Sequence, residues 1–115
     1  MPHVVFDQRI DLRKLSEKFI KIFKNEGKII KIDNIFVDKE ARSALLPTVV
    51  IDEMNQNFFI EISTSENKST IRLHQRTDPE KTPGVKTAMG LLAKQIQNLF
   101  GAKITKTNIQ DFIPN

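Results

Sequence analysis

The sequence predicts one α+β domain, a two-layer sandwich in which a mixed sheet of five or six strands carries two helices on one face. Short β-branched runs alternate with stretches of helical periodicity, and the same order of features occurs in both halves of the chain. At 115 residues and 39% hydrophobic composition the chain is long enough to bury one core. We therefore expect a single domain over residues 1–115, with no internal boundary.

The first half predicts a β-α-β unit over residues 2–37. Residues 2–10, PHVVFDQRI, indicate a strand, and Asp11 follows as a helix N-cap. Apolar residues then recur at steps of three and four up to Glu26, and Gly27 stands at the position of a helix C-cap. The next run, KIIKIDNIFV at residues 28–37, indicates the second strand of the unit.

The second half predicts another β-α-β unit, over residues 69–113. TIRLHQR at residues 70–76 indicates a strand, Thr82 is the expected N-cap, Pro83 takes the first helical position, and Gly101 ends the helix. KITKTNIQDF at residues 103–112 is the closing strand. Each unit contains, in its first part, one of two similar segments, FDQRIDL (6–12) and LHQRTDP (73–79). We interpret this similarity and the shared order of elements as duplication. A ferredoxin-like topology is the alternative, because paired β-α-β units occur there too.

Residues 38–64 predict a connector followed by an inserted β-hairpin. VDKEARSALLP leaves room for a helical turn, and TVVIDEM and FFIEIST are strand-like runs separated by Asn-Gln-Asn.

The composition excludes some kinds of site and partner but does not identify the function. There is no cysteine, and His3 and His74 alone cannot form the usual four-ligand zinc site, so we expect no metal and no cofactor. The absence of a signal peptide or an apolar run of about 18 residues predicts a cytoplasmic protein with no membrane partner. A net charge of +4 favours an anionic partner, and a phosphate, a carboxylate such as that of a small anionic substrate, and nucleic acid are all compatible with it. We do not expect nucleic-acid binding, because no RNA-binding motif is present.

Alternation along the strands divides the candidate site residues from the core. Ile71, Leu73 and Gln75 should face the helices, which places Arg72, His74 and Arg76 on the opposite face together with Arg9 of the first strand. The three guanidinium groups could bind a carboxylate or phosphate, with His74 as a further polar contact. The alternative is a solvated face held by cross-strand pairs such as Glu61 with Arg72.

Pro2 is the candidate catalytic residue. A proline at position two normally leaves Met1 removable, and removal would make Pro2 a secondary amine at the start of a strand. An α-amino group has a reference pKa of about 7.7 to 8, which burial beside arginines would lower towards the operating pH of a general base.

The opening Met-Pro-His, the apolar strand after it and the duplicated β-α-β order resemble the tautomerase superfamily, in particular its carboxymethyl-hydroxymuconate isomerase branch. The resemblance implies a homotrimer in which Pro2 moves a proton of a small keto or enol acid and Arg9, Arg72, Arg76 and His74 bind its carboxylates. The alternative function is a non-enzymatic α+β binding or assembly module for a protein or nucleic-acid partner. The residues alone leave open whether the protein is an enzyme.

Overall fold

The computed structural model describes residues 1–115 as an eight-stranded sheet with two α-helices, which confirms the α+β class. The strands are β1 (His3–Phe6), β2 (Ile22–Asn25), β3 (Ile29–Ile32), β4 (Phe36–Val37), β5 (Ser43–Ile51), β6 (Asn55–Thr64), β7 (Ser69–Leu73) and β8 (Ile104–Thr107). The helices are α1 (Leu12–Lys18) and α2 (Pro83–Phe100), and two short 3-10 turns cover Gln75–Thr77 and Gln110–Phe112. Neither helix combines the length and the apolar character that crossing a bilayer requires.

The sheet is larger than predicted, and every strand pairing in it is antiparallel, so the prediction of a mixed sheet was wrong. The order is β2-β3-β5-β6-β7-β1-β8, with β4 pairing along β5. Several neighbouring strands are joined by short turns, which allow only antiparallel pairing. The inserted hairpin was predicted correctly as β5 and β6, although its turn lies at residues 52–54 and not at Asn-Gln-Asn.

The first predicted β-α-β unit, over residues 2–37, does not form. Asp11 caps α1 as predicted, accepting a hydrogen bond from the Lys14 amide at 3.1 Å, but the helix ends at Lys18. Residues 22–25 leave the predicted helix and pair with β3, and Gly27 takes a positive φ of 79° in the turn between them. The helical periodicity was correct only for the first turns, because the long-range pairing of β2 decides the rest.

The second predicted unit forms as a split β-α-β arrangement. β1 lies between β7 and β8 and pairs antiparallel with both, so those two strands run parallel with α2 connecting them. Thr82 and Gly101 cap α2 as predicted; the Thr82 hydroxyl accepts from the Val85 amide at 3.3 Å, and Gly101 has φ 64°. The strand before α2 stops at Leu73, so Gln75 is exposed in a 3-10 turn and does not face the helices.

The core lies between the helices and one side of the sheet, called here the inner face. Its 24 buried apolar residues include Leu12 and Leu15 of α1 and Met89 and Leu92 of α2. Alternate strand residues complete it, and cross-strand neighbours such as Ile62 and Ile71 are fully buried. The other side, the outer face, carries no helix.

Gly90 lets the C-terminal segment pack against α2. A Cβ atom at this position would overlap the carbonyl group of Phe112. We predict that Gly90→Ala lowers the free energy of unfolding by about 1 to 3 kcal/mol, because backbone cannot move aside as a flexible side chain can. Urea unfolding measures the change. Asn98→Ala, at an exposed position of the same helix, should stay within about 0.5 kcal/mol of wild type; equal effects of the two substitutions would contradict the packing.

Asp52 ties the β5–β6 turn to the start of α2. Partial burial disfavours its charge, but hydrogen bonds from the Thr82 hydroxyl and from the amides of Gly84, Glu53 and Met54 outweigh burial and lower the pKa of its carboxyl group. The Gly84 amide donates to Oδ2 at 3.0 Å.

A depressed pKa in the folded state stabilises the fold above the unfolded-state pKa of aspartate, about 3.9, and that stability is lost as pH falls through the folded value. We predict that Asp52→Asn is less stable than wild type at pH 7 and that the difference shrinks towards zero as the pH falls below about 4. Thermal unfolding between pH 7 and pH 3 measures it. A difference that stays constant over this range, or one that the exposed control Glu40→Gln reproduces, would contradict the role of the Asp52 charge.

Candidate functional site

Pro2, the predicted catalytic residue, is buried on the inner side of the sheet. It lies in a cavity of about 190 Å³ together with Met1, Lys81, Lys86, Asn108 and Ile109. Asn108 fixes the start of the chain, because its amide nitrogen donates to the Met1 carbonyl at 2.8 Å and its oxygen accepts from the His3 amide at 3.0 Å. The cations nearest to Pro2 in this cavity are therefore lysines.

The predicted arginines occupy three different places. Arg72 lies on the outer face, opposite His3 on one side and Glu61 on the other, and donates to the Ser63 hydroxyl at 3.0 Å. Arg76 is exposed in the 3-10 turn after β7. Arg9 lies beyond the opposite end of β1, in an open cavity of about 390 Å³ with Arg42. The structure does not bring these three residues and Pro2 into one pocket.

His74 does lie beside Arg72 on the outer face. Its Nδ1 is 3.1 Å from Oε1 of Glu61, and its ring meets the Phe59 ring edge to face with centroids 6.4 Å apart. The predicted pairing of Glu61 with Arg72 holds in the strand register, but the polar contact of Glu61 is to His74.

The outer face carries three phenylalanines that are not part of the buried core. Phe23 on β2 and Phe36 on β4 are 66% and 57% exposed, and Phe59 on β6 is half-buried. In the register, Phe23 lies opposite Lys31, and Phe36 lies opposite Leu45. These aromatic side chains lie on an ordered sheet surface with no protein layer over them.

The outer face also carries cations, and Lys31 lies directly opposite Phe23. The outer face presents Lys31, Arg72 and Lys106, and its two carboxylates already have partners: Asp33 lies 3.5 Å from Lys31, and Glu61 contacts His74. A surface that combines exposed aromatic rings with more cations than carboxylates can bind a ligand that has planar rings and negative charge.

A cavity of about 230 Å³ opens on the outer face beside Phe59. Its lining residues are Lys31, Asp33, Pro47, Thr48, Val49, Asn57, Phe58, Phe59 and Thr77. The Phe59 amide donates to the Thr77 hydroxyl at 3.0 Å, which holds the 3-10 turn against this side of the cavity. The cavity thus has an apolar wall and a polar rim.

Sequence reasoning missed Phe23 and Phe36. Phe23 falls in the apolar stripe of the predicted first helix, and Phe36 falls in the predicted strand at residues 28–37. The turn Asn25-Glu26-Gly27 was the available signal for a hairpin, because a glycine between two alternating runs favours a turn at least as well as a helix end.

The chain is similar in sequence to a known enzyme. The chain is 26% identical over 98 residues to a tRNA (guanine-N(7)-)-methyltransferase of Thermotoga maritima. The alignment covers 84% of this chain and 30% of that protein, so the chain spans less than a third of the length of its relative. No protein-family model and no solved structure matches the chain.

Proposed function

We propose that this protein is a non-enzymatic RNA-binding module whose outer face stacks unpaired bases. The observation that carries the proposal is the exposure of Phe23 and Phe36 on a helix-free sheet face that also presents Lys31 and Arg72. This is the second of the two functions that the sequence left open, now with RNA as the partner.

The physical basis is the pairing of base stacking with phosphate contacts. Stacking of a base on an aromatic side chain contributes about 1 to 3 kcal/mol, and it requires rings that solvent can reach. Sheets with helices on one side bind single-stranded RNA in this way, with aromatic residues of the open side under the bases. Lysine and arginine side chains on the same face would supply phosphate contacts and make such binding salt-dependent.

The relative supports tRNA as the class of RNA. Its name gives tRNA as the molecule that it methylates, and the matched segment is a minor part of its length. We infer that the matched segment holds tRNA. The outer face suits this role, because its carboxylates Asp33 and Glu61 are paired with Lys31 and His74. The sequence alone did not favour nucleic acid, because it contains no RNA-binding motif.

We predict that Phe23→Ser with Phe36→Ser weakens binding to tRNA about tenfold or more, because the loss of two stacking surfaces exceeds the 1.4 kcal/mol that corresponds to a factor of ten. Fluorescence anisotropy with labelled tRNA at 50 and 200 mM salt measures it, and binding should weaken at the higher salt. Ile20→Ser is the matched control, since Ile20 is 68% exposed but is anchored to Gln95 of α2 at 3.0 Å and not placed on the outer face.

Equal binding by the double variant and the control, or no binding by the wild type, would contradict the proposal. A different outcome is a wild-type protein that binds no RNA and is a dimer in light scattering, while the double variant is a monomer. In that case the outer face is a protein–protein interface, and the module acts in assembly and not in RNA binding.

A second candidate function is the tautomerase-like isomerase of a small keto or enol acid, and we propose it on one observation. Pro2 lines a cavity of about 190 Å³ with Lys86 and with Lys81, which also pairs with Asp78, and lysine ammonium groups beside an N-terminal amine would suit a carboxylate substrate. Here the lysines replace Arg9, Arg72 and Arg76 as the carboxylate-binding groups.

The isomerase proposal predicts that the natural protein lacks Met1 and ketonises a small enol acid, and that Lys86→Ala raises KM about tenfold or more because a charged contact to the carboxylate is lost. Intact mass and an ultraviolet assay measure these outcomes. A retained Met1 would overturn the mechanism, because it leaves the Pro2 nitrogen in a peptide bond with no basic lone pair.

A further inference from the structure

The cavity beside Phe59 lies next to the exposed phenylalanines. Phe23, Lys31, Val49 and Asn57 are successive cross-strand neighbours on β2, β3, β5 and β6, and the last three line the cavity. A ligand stacked on Phe23 would therefore have its neighbouring group at the cavity mouth.

The walls suit a flat ring. Pro47 lies opposite Phe59, and Val49 opposite Asn57, so two cross-strand pairs form one side of the cavity. Its volume of about 230 Å³ lies below the range of about 300 to 1,000 Å³ that is typical of sites for drug-sized ligands. A space of that size accommodates one small ring system and not an extended ligand.

The rim offers hydrogen-bond groups that match one edge of a base. Asp33 contributes a carboxylate and Asn57 an amide, whereas the Thr77 hydroxyl is engaged with the Phe59 amide and the His74 carbonyl. Lys31 is 3.5 Å from Asp33, and both side chains stay about half exposed, which leaves carboxylate oxygen accessible to a donor from the ligand. A carboxylate only accepts hydrogen bonds, so the matching base edge must donate.

We propose that this cavity binds a single unpaired nucleobase and that Asp33 selects guanine. Guanine presents two neighbouring N–H donors, at N1 and at the exocyclic amine, which a carboxylate can accept together. Adenine presents an acceptor at N1, where it would face the negative charge. The inference rests on the proposed RNA-binding function, and it adds a base preference that stacking on Phe23 and Phe36 alone would not produce.

The test uses eight-nucleotide uridine RNAs with one central guanine, adenine or inosine in an anisotropy competition with the whole 115-residue chain. We expect guanine to bind about tenfold more tightly than adenine, with inosine intermediate because it lacks the exocyclic amine. Asp33→Asn should remove the preference, so that the guanine and adenine RNAs bind this variant with equal affinity. The control Glu40→Gln, an exposed carboxylate outside the cavity, should keep the preference.

Equal affinities for the three RNAs in the wild type, or an unchanged preference in Asp33→Asn, would overturn the base assignment. If the Phe23→Ser, Phe36→Ser variant still loses tRNA affinity in that case, RNA binding by the outer face survives without a base-specific cavity. If neither the oligonucleotides nor tRNA bind, both proposals fail together. Phe59→Ser provides a second variant. It should remove the tighter binding of the guanine RNA over the adenine RNA, because the apolar wall of the cavity is lost.

Discussion

The register of β5, β6 and β7 is the constraint on which the rest of the structure depends. Side chains alternate along each strand, so the pairing of Ile62 with Ile71 buries one set of residues under the helices and leaves the pair Glu61 and Arg72 on the other side. A shift of one residue would exchange the two sets. Since α1 and α2 both pack on the inner face, the outer face stays uncovered, and its phenylalanines and cations are available to a partner. The proposed function is thus a consequence of a one-sided core.

Local signals were sufficient for some of the elements. Thr82, Pro83 and Gly101 act within a few residues of their own positions, so the limits of α2 could be predicted from the sequence. Distant pairing decided the others. Residues 22–25 fit both a helical stripe and a strand, and only the presence of β3 and β5 beside them settles the choice. The apparent duplication failed for the same reason, because β1 pairs with β7 and β8, which no feature of the first half indicates.

The candidate site was less predictable than the fold. Alternation placed Arg72 and His74 on the outer face correctly, since both stay near the regular part of β7. Arg76 lies past the end of that strand, and Arg9 past the end of β1, where alternation no longer applies. Phe23 shows the main difficulty, because a phenylalanine with helical spacing predicts a core residue and nothing local indicates that it will be 66% exposed. The cavity beside Phe59 combines four separated segments, and its composition appears only when the chain is folded.

The central claim is that RNA contacts the outer face and not the helical side of the molecule. Backbone amide resonances in an NMR titration with single-stranded RNA test it most directly, since a chain of this size gives one resolved signal for most residues. We expect the largest shifts at Phe23, Lys31, Phe36, Phe59 and Arg72, with the exposed positions of α1 and α2 nearly unchanged. Shifts concentrated on Lys14, Lys18 and the exposed positions of α2, with the outer face unaffected, would contradict it.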